Sequence, residues 1–257
     1  MNAKITPPVG YKSVTPLQKT QRVVLPRESA LPEFARSIHA LPVSLSEIAP
    51  ASRDYPIVFA SSDGGNNFIV MAVLGLQKGQ NLFLTDDGLW DRRAYLPSYV
   101  RRYPFCMAKV TRDGELQNDR IVCVEDSALQ EDGDPLFDDG GTALPAWEQI
   151  EAFVVEFERD LVREDEFCAL LTEFELLEPV SVTAELSSGF KMQLEGIHRV
   201  SRERLRTLPE ASLGKLLEGE VMDGIFAHLL SLTNFKRMIN RRSIFPGKKP
   251  SGRKELN

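Results

Sequence analysis

Residues Tyr95-Leu96-Pro97-Ser98-Tyr99-Val100-Arg101-Arg102-Tyr103-Pro104-Phe105 hold the densest recognition chemistry in the chain. Tyrosine presents a broad apolar face with a polar tip, and arginine presents a rigid fork of donors. Both types concentrate at interface hot spots. The chemistry they offer is capture of a partner by ring contact and charged hydrogen bonds. Trp90, Tyr99, Arg101 and Arg102 are the candidate contact residues. The competing use is structural: Tyr95, Tyr99, Tyr103 and Phe105 pack over a sheet and both arginines pair with local carboxylates. Burying one such ring is worth roughly 1.5–3 kcal/mol, so a core role has its own driving force.

Motifs for a reaction are missing from the local sequence. Phosphate loops need glycines at fixed spacing, and Gly247-Lys248-Lys249 lacks both the earlier glycine and the following Ser or Thr. No Gly-x-Ser-x-Gly nucleophile elbow occurs. His39, His198 and His228 stand far apart with no partner at i+3 or i+4, so they read as structural histidines. An enzyme would have to assemble its site from distant groups, with Asp86, Asp87, Arg101, Arg102 and His228 as candidates. The acidic residues of 125–139 do not meet the calcium-loop pattern and read as a solvated loop. No cofactor is expected.

The chain has 257 residues and a net charge of −6, which does not favour nucleic acid as a partner. A protein or peptide partner is expected instead. No apolar run reaches the length of a membrane span. The N-terminal residues lack the apolar core of a secretory signal, and Cys106, Cys123 and Cys168 are too few for a disulfide framework. Both observations point to a cytoplasmic, reducing compartment. The alternative is the cell surface, reached by a dedicated export route.

These residues need elements to hold them. Residues 1–54, rich in Pro, Ser and Ala, read as an extended strap whose first dozen residues are loosely ordered. Residues 55–242 read as one α+β domain. Apolar runs at Tyr55–Ala60 and Phe68–Leu74 flank turn residues and predict a hairpin. Phe105–Thr111 and Arg120–Glu125 predict another around Asp113-Gly114. Trp147, Ile150, Val154, Phe157, Leu161, Cys168 and Leu171 lie on one face of a long central helix starting near Pro145. Alternating arms around Ser187-Ser188-Gly189 predict a further hairpin. Met222 through Ile239 marks a C-terminal amphipathic helix over 220–240. The expected architecture is one antiparallel sheet, from 55–125 and 180–200, packed against both helices. Residues 243–257 read as a basic, disordered tail.

The runs Tyr55–Ala60, Gly79–Leu84, Gly88-Leu89-Trp90 and Tyr95–Phe105 resemble the bacterial SapC family, as do Leu194-Glu195-Gly196 and Ile225–Leu232. The resemblance spans roughly residues 20–242. It implies a surface-layer-associated or accessory protein; the aromatic and Arg density of a chain without local catalytic motifs makes the leading expectation a non-catalytic binding or assembly protein of this type. It also implies a setting of peptide or natural-product handling. A structural surface-layer subunit is a further alternative. The family carries no established catalytic residues to transfer.

Overall fold

The computed structural model describes residues 4–27, 30–61, 63–112, 115–185, 191–218 and 220–244. The strap supplies four short strands: β1 (Lys4–Ile5), β2 (Val14–Pro16), β3 (Arg22–Val23) and β4 (Ala40–Pro42), followed by the one-turn helix α1 (Ile48–Ala51). Strands β5 (Ile57–Ala60) and β6 (Ile69–Val73) precede the short helix α2 (Ser98–Arg101). The hairpin β7 (Phe105–Arg112) and β8 (Glu115–Glu125), strand β9 (Asp134–Pro135) and the 29-residue helix α3 (Pro145–Glu173) come next. A second long hairpin, β10 (Leu177–Glu185) and β11 (Lys191–Val200), leads to helices α4 (Arg202–Arg206), α5 (Glu210–Leu217), α6 (Val221–Ser231) and α7 (Asn234–Ile244).

The fold is α+β with antiparallel pairing, but the expected single sheet is two. One sheet runs β1-β7-β8-β2 and the other β10-β11-β5-β6-β4; β3 and β9 make a small third pair. The reason is the strap. Its strands β1 and β2 take both free edges of the β7–β8 hairpin, so that hairpin cannot join β5 and β6. The strap's early residues are therefore ordered where a loose segment was expected. Tyr11 is buried, and its hydroxyl donates to Phe105 O at 2.9 Å.

Helix α3 spans both sheets, about 44 Å at 1.5 Å per residue. Its first turns bury Trp147 and Val154 against Phe105, Val124 and Leu136. Its later turns bury Phe157, Phe167, Cys168 and Leu171 in the main core with Tyr55, Phe59 and Val70. Three carboxylates share that face. Asp160 accepts from Ser46 N at 2.8 Å, Glu164 accepts from Val70 N at 2.5 Å, and Glu158 meets arginines. The helix ends at Phe174, and Glu175 at φ 52° takes the left-handed turn usually given to glycine.

The single C-terminal helix expected over 220–240 is broken at residues 232 and 233. Polar side chains anchor the break to the start of β5. Ser231 Oγ accepts from Ile57 N at 2.8 Å, and Asn234 Nδ2 donates to Ser52 O and Tyr55 O at 2.7 and 3.1 Å. His228 works beside them. It is fully buried, its Nδ1 lies 2.8 Å from Ile57 O, and its Nε2 accepts from Val200 N at 3.0 Å. Direct β5–β11 pairing is limited to Ala60↔Ile197 and Phe59↔His198, and the imidazole bridges the strands beyond it.

The acidic stretch 125–139 is mostly solvated, with Asp126, Glu131, Asp132, Asp134, Asp138 and Asp139 exposed, but its start is tied to the strap. Glu125 is buried and accepts from Lys12 N, while Asp126 accepts from the Ser13 and Thr15 hydroxyls. The predicted turns at 113–114 and 187–189 lie outside the described residues, as does the tail from residue 245.

Arg102 joins the main core to the cluster around Tyr11. Its guanidinium lies 4.3, 4.8 and 5.8 Å from the ring centroids of Tyr99, Phe157 and Tyr11. Its Nη1 is 3.5 Å from Glu158 Oε1, and Arg120 holds the other Glu158 oxygen. The Arg102 side chain is 3% exposed, against 43% for Arg101.

Two predictions follow from this packing. Arg102→Ala leaves Glu158 undercompensated in the interior and destabilises by about 3–5 kcal/mol. Arg101→Ala costs no more than about 1 kcal/mol, as an exposed pair would. Urea unfolding of both variants checks this, and equal midpoints would refute the buried role. The second concerns protons. Burial pushes the Glu164 carboxyl up to about 8 and holds the His228 imidazole down at about 4. Glu164 thus stabilises fully below its ordinary value of 4.5, a contribution lost as pH rises through 8. His228 stabilises fully above 6.5, a contribution lost as pH falls through 4. The two slopes cancel between pH 4.5 and 6.5. Glu164→Gln should unmask the histidine, with stability falling by about 3 kcal/mol from pH 6.5 to 4. Denaturant midpoints across that range test it; a flat profile in the variant would contradict the His228 bridge.

Candidate functional site

The candidate site is an open cleft of ≈ 390 Å³ between the strap and the segment leading into β7. Pro26, Arg27, Ala30, Leu31 and Pro32 form the strap wall. Leu89, Trp90, Ala94, Leu96, Val100 and Tyr103 form most of the other, with Asp91, Arg92 and Arg101.

Both walls are fixed from behind. Trp90 Nε1 donates to the Tyr55 hydroxyl at 3.2 Å and to Tyr95 O at 3.1 Å. The Tyr55 hydroxyl also donates to Tyr95 O, and its ring meets Phe83 edge-on at 4.5 Å. Asp54 accepts from Tyr95 N at 2.9 Å. Buried Glu47 accepts from Ser98 N at 2.6 Å and from the Tyr95 hydroxyl at 2.9 Å, which sets the start of α2. On the strap side, Pro32 opens a 3₁₀ turn over Glu33–Arg36, whose Phe34 packs against Tyr103 and Tyr11.

Charge at the cleft is uneven. The Asp91 carboxylate is already taken by Arg93 at 3.0 Å and Arg241 at 2.6 Å. Hydrogen bonds from Arg93, with Arg241 behind them, hold it well below the usual carboxylate range. Arg101 is committed to Ser98 Oγ at 2.7 Å and stacks over Phe153 at 5.0 Å. Arg27 and Arg92 are exposed, and neither guanidinium has an acidic partner among the described residues. A second cleft, of ≈ 810 Å³, lies by α4, where Arg199 is already paired with Glu178 at 2.8 Å.

The four contact residues read from the sequence divide between two places. Trp90 and Arg101 line the cleft. Tyr99 and Arg102 face inward: Tyr99 is 4% exposed and gives its hydroxyl to Val9 O at 2.8 Å, while Arg102 sits in its cage of rings. In a four-residue helix, adjacent side chains diverge by about 100°, so one arginine cannot follow the other. The candidates for a distant-residue enzyme do not converge. Asp86 and Asp87 are on an exposed turn, Arg101 is at the cleft, and Arg102 and His228 are buried in different contacts. The three cysteines are buried and unpaired. Among the described residues no cluster of His, Cys, Asp or Glu is placed to hold a metal, and no helix is long and apolar enough to cross a membrane.

Leu31, Pro32 and Arg27 were not singled out by the sequence, because the wall they form lies some sixty residues upstream of the residues they face. Their signal was only a pair of prolines flanking apolar residues, which reads as a connector.

No curated protein and no solved structure matches the chain. The SapC family model matches residues 22–238, a span that takes in both cleft walls, α3 and both long hairpins. The match covers most of the sequence, and the chain belongs to the SapC family.

Proposed function

We propose that this protein is a non-catalytic binding or assembly protein that seats an apolar part of a protein or peptide partner in the cleft between the strap and residues 89–103. One observation carries the reading: an open, mostly apolar cleft brings Trp90 and Arg101 together on prearranged walls. Its volume is within the range that holds a small ligand or a few side chains. Rigid walls keep the ordering cost of binding low. The scatter of the titratable candidates supports capture over chemistry. The setting implied by the family resemblance, a surface layer or peptide handling, belongs to the same proposal. So does a reducing, cytoplasmic location, which suits three buried free thiols.

Ala94 lines the cleft and is only partly buried, so a bulky residue there projects into the space. Ala94→Trp is expected to retain the wild-type circular dichroism and unfolding midpoint. Capture of specific partners from lysate, quantified by mass spectrometry against the wild type, should fall about tenfold or more. A folded Ala94→Trp variant that captures the same proteins equally well would sink the reading.

A further inference from the structure

We infer that the group seated in the cleft is the C-terminal end of a peptide, its last apolar side chain between the walls and its free carboxylate between Arg27 and Arg92. This rests on the binding reading above and names the chemistry of what is bound. The chain is acidic overall, with a net charge of −6, yet the charged groups lining the cleft are Arg27, Arg92, Arg101 and Asp91. The one carboxylate is neutralised by Arg93 and Arg241. Arg101 is held by Ser98 and by the faces of Tyr95 and Phe153. That leaves Arg27 on the strap wall and Arg92 on the facing wall as guanidinium groups with no acidic partner among the described residues. Guanidinium groups bind carboxylates through paired, charge-assisted hydrogen bonds, which are strongest beside a surface that excludes water. Leu31, Leu89, Trp90 and Leu96 provide that surface. An apolar side chain and a carboxylate on one group describe the last residue of a peptide, the partner class of the binding reading.

The test uses the full chain labelled with ¹⁵N and follows the indole N–H signals of its two tryptophans, Trp90 and Trp147. Trp90 lines the cleft, whereas Trp147 is buried against Phe105 and serves as an internal control. Two pools of short N-acetylated peptides are titrated, each random except for Leu or Phe at the last position. One pool ends in a free carboxylate and the other in an amide. Dodecanoate and dodecanamide form a non-peptide pair. The acid pool should shift the Trp90 signal with about tenfold or more higher affinity than the amide pool. Arg27→Gln with Arg92→Gln, both exposed positions, should erase that preference and keep the weaker binding of the amide pool. Higher salt should reduce the acid preference too. Equal binding of both pools to the wild type would overturn the carboxylate and leave the cleft as a binding site. Tighter binding of dodecanoate than of the acid pool would overturn the peptide. Silence from all four probes would overturn the inference outright, and the Ala94→Trp capture experiment then decides whether the binding reading falls with it.

Discussion

Removing the Arg102 guanidinium from water costs several kcal/mol unless a carboxylate and polarisable surfaces replace its hydration. Glu158, Tyr99, Phe157 and Tyr11 supply that replacement, and they come from α3, α2 and the strap. Those elements must therefore meet at one point, with little freedom to slide. The constraint also sets the rotation of α2. With Arg102 turned inward, its neighbour Arg101 is turned outward to the cleft edge. A buried charge thus decides which charge borders the cleft. The same carboxylate holds Arg120 of β8, so the β7–β8 sheet is tied to the same point.

Helix α3 is the other organiser, and it shows where sequence reading works. Its period, its Pro145 start and its length were legible, because Trp147, Val154, Phe157, Cys168 and Leu171 repeat at helical spacing. What did not show was that Glu158, Asp160 and Glu164 share the buried side. A carboxylate in sequence reads as solvent-facing. Its partners here are Arg102, Ser46 N and Val70 N, none of them nearby in the chain. Strands behaved similarly. Each hairpin was visible from alternation and turn residues, but which hairpins pair depends on β1 and β2, two short strands without a periodic signature.

The site divides along the same line. Residues 95–105 were recognisable as special from composition, and half of that composition serves the interior. Tyr95, Tyr99 and Arg102 are spent on Glu47, Val9 and Glu158. Composition cannot separate a ring that will meet a partner from one that will meet Phe34 or Phe157. Only the facing wall makes the distinction, and that wall comes from Pro26, Arg27, Ala30, Leu31 and Pro32. The C-terminal helix carries a parallel lesson. Its apolar period ran on through residues 232 and 233, while Ser231 and Asn234 bonded to the start of β5 and broke it.

The strap also has a consequence in time. A ribosome delivers β1, β2 and β3 first, yet their partners are Val110 and Thr111, then residues 123–125, then Asp134 and Pro135. Each of those pairings closes a loop of more than a hundred residues, the kind of contact that is entropically slow to form. Strand β4 can pair with β6 once residue 73 is made, but β1, β2 and β3 have no strand partner until the chain reaches residues 111, 125 and 135 in turn. The part of the cleft wall that follows β3 is therefore synthesised early, while the strand before it is paired late.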